Sequence, residues 1–131
     1  MAQEVRLPVC GRFFEIRFES IGGLGAHAAG QIVAGAAVLR MGLNGSHFSS
    51  YGSEKKGSVV RSFIRLAPAD RSIRSSAPIE SPDVIVVMHG GLIAHPATLA
   101  GMRADGVLIY SGYKDEEPEG LSRLPKTVKV I

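Results

Sequence analysis

The residues best suited to ligand chemistry in this sequence are three glycines in the run Ile21-Gly22-Gly23-Leu24-Gly25. Glycine lets the backbone come close to a bound group, and the free N–H groups at the start of a helix attract negative charge. A phosphate or a carboxylate is therefore the ligand that such a loop favours. A purely structural alternative stays open, because the same glycines also permit tight packing of a helix on a strand.

Two common nucleotide-binding signatures do not fit the residues around these glycines. Nicotinamide dinucleotide sites normally carry an acidic residue about 20 positions after the glycines, but no Asp or Glu lies between Ser20 and Glu54. A Walker phosphate loop needs lysine at the position that Ser58 holds in the run 52–58. A dinucleotide oxidoreductase and a P-loop hydrolase are both disfavoured.

Other catalytic arrangements are not indicated either. The histidines His27, His47, His89 and His95 lack the spacing of a metal-binding pair on a helix, and no Gly-x-Ser-x-Gly run marks a serine nucleophile. The single cysteine, Cys10, cannot by itself hold zinc or an iron–sulfur cluster, which need several protein ligands. We expect no catalytic or metal-binding residue in this chain, and any redox metal on another polypeptide.

A strand and a helix must position the glycines. Residues 12–21 alternate between apolar and charged side chains, which is typical of a strand. Residues 26–41 contain no proline and are followed by Gly42, which predicts a helix with a glycine after its end. Strand, glycine turn and helix occur in the order of a mononucleotide-binding unit.

Further strands are predicted along the chain. Residues 44–57 are rich in Gly and Ser and favour a short strand followed by an ordered loop. Strands are expected at 59–66, 83–88, 106–110 and 127–131. A short helix is expected at 92–102, with Pro96 in its first turn. The pattern predicts one domain spanning 1–131, with an α/β, Rossmann-like layered fold and a mostly parallel sheet.

Two elements carry unusual side chains. The helix is almost uncharged, so it is apolar on more than one side, and its outer side is expected to meet either a partner protein or other parts of the chain. The first strand places Glu15, Arg17 and Glu19 on one face, although a central strand is normally covered on both faces. These charges either pair with others near the strand ends or meet another subunit. Arg61 and Arg65 also share one face of their strand.

Composition places the chain among ordinary globular proteins. It has 131 residues, 45% of them apolar and 21% charged, with a formal net charge of +3. No apolar run is long enough for a membrane span, and residues 1–8 lack the core of a secretory signal. We expect a cytoplasmic protein that binds neither membrane nor nucleic acid.

Three segments in order resemble the gamma subunits, or gamma-type domains, of 2-oxoacid:ferredoxin oxidoreductases. The first is 16–25 with its small-residue helix, although the family's loop is usually Gly-Gly-Gln-Gly and this chain has Leu24. The third comprises Ile73-Arg74 and the run 81–87.

The second segment, 50–61, is the most specific. It resembles a family signature of an aromatic residue, Gly, any residue and Glu, followed by two basic positions, Gly and a small residue. The matching residues are Tyr51, Gly52, Glu54, Lys55, Lys56, Gly57 and Ser58. Ser53 stands where proline is common, and the two lysines stand where arginine is common, which loses the planar fork of a guanidinium group.

The resemblance implies a role inside a larger enzyme. Members of this family oxidatively decarboxylate a 2-oxoacid, pyruvate-like or oxalate-like, commonly with coenzyme A, and pass electrons to ferredoxin. Thiamine diphosphate, magnesium and 4Fe-4S clusters are then held by the alpha, beta and delta-type partner subunits. The gamma chain packs beside the active centre and contacts coenzyme A or gates access. Gamma chains usually continue past the strand matching 127–131, so C-terminal truncation is consistent with the resemblance.

These expectations give one hypothesis for the site. The glycine loop, with Gly22, Gly23 and Gly25, meets the segment that contains Tyr51, Gly52, Glu54, Lys55, Lys56 and Ser58 at the carboxyl ends of the strands. The two lysines supply positive charge for a coenzyme phosphate or for a carboxylate of a neighbouring subunit. Two alternatives stay open: a stand-alone nucleotide- or coenzyme-binding module, and a purely structural interaction subunit.

Overall fold

The strand, glycine turn and helix predicted near the start of the chain are all present. The computed structural model describes residues 6–51, 58–112 and 118–131. Strand β1 spans Phe14–Ile21 and helix α1 spans Ala26–Arg40. Gly42 follows the helix with a φ of 66°, and the next residue, Leu43, donates its N–H to the carbonyl of Ala37 at 3.1 Å. The helix therefore ends at the glycine that the sequence predicts, because a left-handed backbone is cheap only for glycine.

The strands form one mixed sheet. After α1 come β2 (Asn44–Tyr51), β3 (Val59–Ala67), β4 (Val84–Val87), β5 (Val107–Tyr110) and β6 (Lys129–Val130). The order in the sheet is β2-β3-β1-β4-β5-β6. The pairs β1–β4, β4–β5 and β5–β6 are parallel, whereas β1–β3 and β2–β3 are antiparallel. The predicted α/β fold is confirmed, with an antiparallel half that the sequence pattern did not distinguish.

Two local predictions were wrong in extent or type. The Gly- and Ser-rich segment forms the eight-residue strand β2, longer than the short strand expected. No α-helix covers 92–102; a 3₁₀ turn at Gly90–Ala94 is followed by His95 in an extended conformation. Proline disfavours helical geometry in the residue before it, so Pro96 ends the turn and does not begin a helix.

Helix α1 has two apolar faces. One face packs on β1, β2 and β3 through the buried residues Ala26, Gly30, Ala34 and Ala37. The outer face carries Ala28, Ile32, Ala36 and Leu39, at the same helical spacing; all four are exposed, Ile32 by 71% and Leu39 by 81%. We call these four residues the outer seam. The expectation that the helix is apolar on more than one side is confirmed, and the described residues leave the outer seam uncovered.

The opposite side of the sheet contains buried charges. Glu19 is fully buried between two arginines, with Arg17 Nε 2.9 Å from Oε1 and Arg61 Nε 2.8 Å from Oε2. Arg65 Nε lies 3.1 Å from Glu15 Oε2 on the same face. The two carboxylates of β1 therefore pair with arginines of β3, and Arg17 pairs with Glu19 of its own strand. Of the two possibilities left open by the sequence, the structure shows pairing within the chain.

Irregular segments lie against this charged face and accept hydrogen bonds from the terminal nitrogens of Arg17. Arg17 donates to the carbonyls of Ile79, Thr98 and Ala100 at 2.7–3.1 Å. Burial raises the pKa of Glu19, against the opposing effect of Arg61 and Arg17, and burial lowers the pKa of Arg17. The cost of desolvating these charges therefore offsets part of the electrostatic attraction between them.

A second core lies beyond β1. It groups the buried side chains of Ile85, Val87, Ile93, Leu99, Leu108 and Val128. This core fixes β4 and β5 beside β1, so that the carboxyl ends of the parallel strands meet at one edge of the sheet. No helix in the described part of the chain has the length and apolarity required to cross a bilayer.

Candidate functional site

The glycine loop, Gly22–Gly25, joins β1 to α1 at this edge. Gly23 and Gly25 have φ values of 90° and 83°, a region that side-chain-bearing residues rarely adopt. Gly22 donates its N–H to the carbonyl of Ser58 at 3.0 Å. This bond holds Ser58, the residue before β3, against the glycine loop. Residues that are far apart in the sequence therefore lie next to each other.

The first turn of α1 leaves its amide groups available. Ala29 donates to the carbonyl of Gly25 at 2.9 Å and begins the helical hydrogen-bond pattern. The amides before it have no acceptor within the helix. Most helices satisfy such groups with a Ser, Thr, Asp or Asn side chain, but the residue at this position is Gly25, and the first turn contains no acidic residue. These amides therefore favour an anion from outside the chain.

A cleft of about 690 Å³ opens at these amides, within the size range of small-molecule sites. Five residues of the site hypothesis line it: Gly22, Gly23, Gly25, Tyr51 and Ser58. We call it the glycine-loop cleft. The structure thus brings together two segments that the sequence only suggested would meet. Gly52, Glu54, Lys55 and Lys56 lie outside the described residues.

Two histidines and two serines adjoin the cleft as one hydrogen-bonded chain. Ser49 Oγ lies 2.8 Å from His27 Nδ1, 3.2 Å from His47 Nε2 and 3.1 Å from Ser62 Oγ. Ser62 in turn donates to the carbonyl of Ala26 at 3.0 Å. The two imidazole rings are 5.0 Å apart, and His27 also lines the cleft. A ligand in the cleft would therefore meet an imidazole group held by its neighbours.

Sequence reasoning did not connect these four residues. His27 and His47 lack the spacing of a pair on one helix, because His27 lies on α1 and His47 on β2. The useful signal was the alternation along β2, which puts His47, Ser49 and Tyr51 on one face. Gly30 completes the arrangement from the helix, since a Cβ atom there would lie 2.5 Å from His47 Nε2.

The chemistry of the cleft is that of binding. Its described lining combines backbone amides, the Tyr51 phenol and the His27 imidazole, groups that orient a ligand and neutralise an anion. Among residues 6–51, 58–112 and 118–131, no three His, Cys, Asp or Glu side chains are close enough to hold a metal ion. His89, at the end of β4, is exposed and does not line this cleft.

Sequence comparison places the chain among known proteins. A family model described as pyruvate ferredoxin/flavodoxin oxidoreductase matches residues 15–131. Pyruvate synthase subunit PorC of Thermotoga maritima is 39% identical over 111 residues, which cover 85% of this chain and 56% of the relative. The pyruvate/ketoisovalerate oxidoreductases common subunit gamma of Pyrococcus abyssi is 35% identical over 119 residues, covering 89% and 63%. The chain thus spans less than two thirds of the length of these relatives.

Solved structures agree in fold. The crystal structure of pyruvate oxidoreductase subunit PORC from Thermotoga maritima matches with a TM-score of 0.69 and 31% identity, over 92% of this chain and 62% of that one. The 2-oxoglutarate:ferredoxin oxidoreductase from Magnetococcus marinus, solved with 2-oxoglutarate, coenzyme A and succinyl-CoA bound, matches with a TM-score of 0.67. That match has 22% identity and covers 91% of this chain and 19% of the other, so it supports the fold alone.

Proposed function

Because the chain belongs to the pyruvate ferredoxin/flavodoxin oxidoreductase family, we propose that it serves as the gamma subunit of a 2-oxoacid:ferredoxin oxidoreductase. The complex oxidatively decarboxylates a 2-oxoacid and passes the electrons to ferredoxin. The names of the relatives, subunit PorC and common subunit gamma, support a role inside an assembly.

The reactive groups of that enzyme belong on partner subunits. Thiamine diphosphate with magnesium supplies the decarboxylation chemistry when bound, and iron–sulfur clusters carry the electrons. The described residues of this chain offer no cluster of ligating side chains for either metal. The contribution of this chain is therefore to bind and to shape, through its cleft and its surfaces.

The glycine-loop cleft fits an anionic coenzyme, and we assign it to a phosphate group of coenzyme A. The observation that carries this assignment is the meeting of the glycine loop with Tyr51 and Ser58 at the uncapped start of α1. First-turn amides and the helix dipole stabilise a phosphate there. Lys55 and Lys56 follow Tyr51 in the sequence and supply further positive charge in this proposal.

A double substitution tests the assignment in the assembled enzyme. Replacing Lys55 and Lys56 with alanine should raise the KM for coenzyme A about tenfold, because a lost charge-assisted contact costs about 1.5 kcal/mol or more, while kcat stays near its original value. The matched control is Lys126→Ala with Lys129→Ala, which removes the same charge from exposed positions at the far edge of the sheet. Equal KM values for the two double variants would contradict the assignment.

One alternative function has an observation in its favour. The outer seam of α1 suits a protein contact, so the chain could act as a structural subunit that binds no coenzyme. Equilibrium binding of labelled coenzyme A to complexes with and without this chain distinguishes the two, since the structural alternative requires equal binding.

A further inference from the structure

The hydrogen-bonded chain behind the cleft determines where its protons lie, because each serine hydroxyl has one proton to donate. Ser62 donates to the carbonyl of Ala26, so its oxygen accepts in the bond with Ser49. Ser49 therefore donates to Ser62, and its oxygen accepts from both imidazole rings. It follows that Nδ1 of His27 and Nε2 of His47 both carry hydrogen.

This arrangement leaves one reactive atom on His27. With hydrogen on Nδ1, the neutral ring holds its lone pair on Nε2. In the part of the chain that the structure describes, Nε2 has no hydrogen-bond partner, and the side chain is exposed and lines the cleft. A proton gained by His27 must therefore bind at Nε2, the outer nitrogen of the ring.

The described neighbours of His27 include His47, a second imidazole on which burial disfavours a proton. The titratable groups that face it are His47, at 5.0 Å between ring centroids, and Tyr51, at 6.3 Å, both on β2. Burial lowers the pKa of His47, and the charge of His27 lowers it further. The first turn of α1 has no acidic residue. Glu54, Lys55 and Lys56, in the following segment, lie outside the described residues.

We propose that anion binding in the glycine-loop cleft is coupled to the uptake of one proton by His27, whose Nε2–H then donates to the bound phosphate. This inference rests on the proposed function, in which a coenzyme A phosphate occupies the cleft. A positive charge in the first turn of a helix is opposed by the helix dipole. The negative charge of a bound phosphate counteracts this effect of the helix dipole. Binding of the proton therefore favours binding of the anion, and the reverse.

Calorimetric titration of the assembled enzyme with coenzyme A tests the coupling. Heats measured at pH 7.5 in two buffers with different ionisation enthalpies give the number of protons taken up per coenzyme. We expect the native complex to take up more protons than the His27→Gln complex, with a difference approaching about one. Its affinity for coenzyme A should also fall by up to about tenfold per pH unit above the range in which histidine titrates, relative to His27→Gln.

A lysine at the same position provides the matched control. His27→Lys carries its charge throughout this pH range, so it should bind coenzyme A without the extra proton uptake and without the extra pH dependence. A merely structural role for His27 predicts no such difference between lysine and histidine. Equal proton uptake in the native, His27→Gln and His27→Lys complexes overturns the inference and leaves the proposed function standing. Absence of coenzyme A binding in the native complex overturns both.

Discussion

At the residue scale, the ionisable side chains of the chain occupy two different environments. Glu19 and Arg17 are buried beneath irregular segments, and the pair of Glu19 with the partly exposed Arg61 joins β1 to β3. His27, by contrast, is exposed in the glycine-loop cleft, and among the described residues only its Nδ1 atom has a hydrogen-bond partner. Burial and the number of partners, and not residue type, separate the structural charges from the group available to a ligand.

The half-buried imidazole of His47 should make stability depend on pH. Its pKa in the folded protein is lowered by burial and by His27, so the unfolded chain binds a proton more readily than the folded one. Stability should therefore fall as the pH drops through the ordinary histidine pKa of about 6.5. Urea unfolding at pH 7.5 and pH 5.5 measures the loss.

The His47→Gln variant isolates this effect. Glutamine offers an N–H donor to Ser49 but takes up no proton, so the variant should lose less stability between the two pH values than the native protein. An identical pH dependence in both proteins would show that His47 does not contribute.

At the element scale, helix α1 is rich in glycine and alanine, although only its inner side approaches other described groups closely. Gly30 faces the imidazole of His47, whereas Gly35 faces open space, with no heavy atom within 4 Å of a built Cβ. Only Gly30 is therefore required by the space around it, although nothing in the neighbouring sequence distinguishes it from Gly35.

Substituting each glycine with alanine should give opposite results. Gly35→Ala should raise the free energy of unfolding by about 0.5–1 kcal/mol, the usual gain from alanine within a helix. Gly30→Ala should lower it by about 1–3 kcal/mol, because the new methyl group displaces the His47 ring from Ser49. Urea unfolding of the two variants side by side measures both; destabilisation of equal size would contradict the distinction.

The elements show how far the sequence could lead. The alternation of side chains and the positions of the glycines are sufficient to predict β1, α1 and the loop between them, because these elements depend on local geometry. The sequence pattern predicts a helix at 92–102, where the structure has only a 3₁₀ turn at Gly90–Ala94. Residue spacing alone does not reveal that the helical conformation is this short. The meeting of His27 with Ser49 depends on tertiary pairing across β2 and β3, which no local pattern contains.

At the scale of the whole molecule, α1 covers the part of one side of the sheet that β1, β2 and β3 form, and irregular segments lie against the charged face of β1 and β3 on the other side. The outer seam then remains as the prominent apolar feature of the helix. Exposed contiguous apolar surface commonly marks a protein contact. We propose that another subunit of the same assembly occupies this seam, both in the proposed function and in its structural alternative.

A charge placed in the seam should weaken assembly without unfolding the chain. Leu39 is 81% exposed, so Leu39→Lys should change the stability of the isolated fold by no more than about 0.5 kcal/mol. Its affinity for the partner subunits should fall about tenfold or more, as measured by size-exclusion chromatography over a dilution series. Gln31→Lys, an equal charge on an exposed residue outside the seam, is the control. Unimpaired assembly of Leu39→Lys would exclude the seam as the contact.

The buried charges also select the strand register. Glu15 lies directly opposite Arg65, and Glu19 directly opposite Arg61. Sliding β3 by two residues would keep every side chain on its own face, so apolar packing alone barely resists that error. The slide would set Glu19 against Val59 or Phe63. The buried carboxylate would lose Arg61 and keep only Arg17 of its own strand as a partner, at a substantial energetic cost. The ion pairs between β1 and β3 therefore favour the observed register over alignments of these two strands that are shifted by two residues.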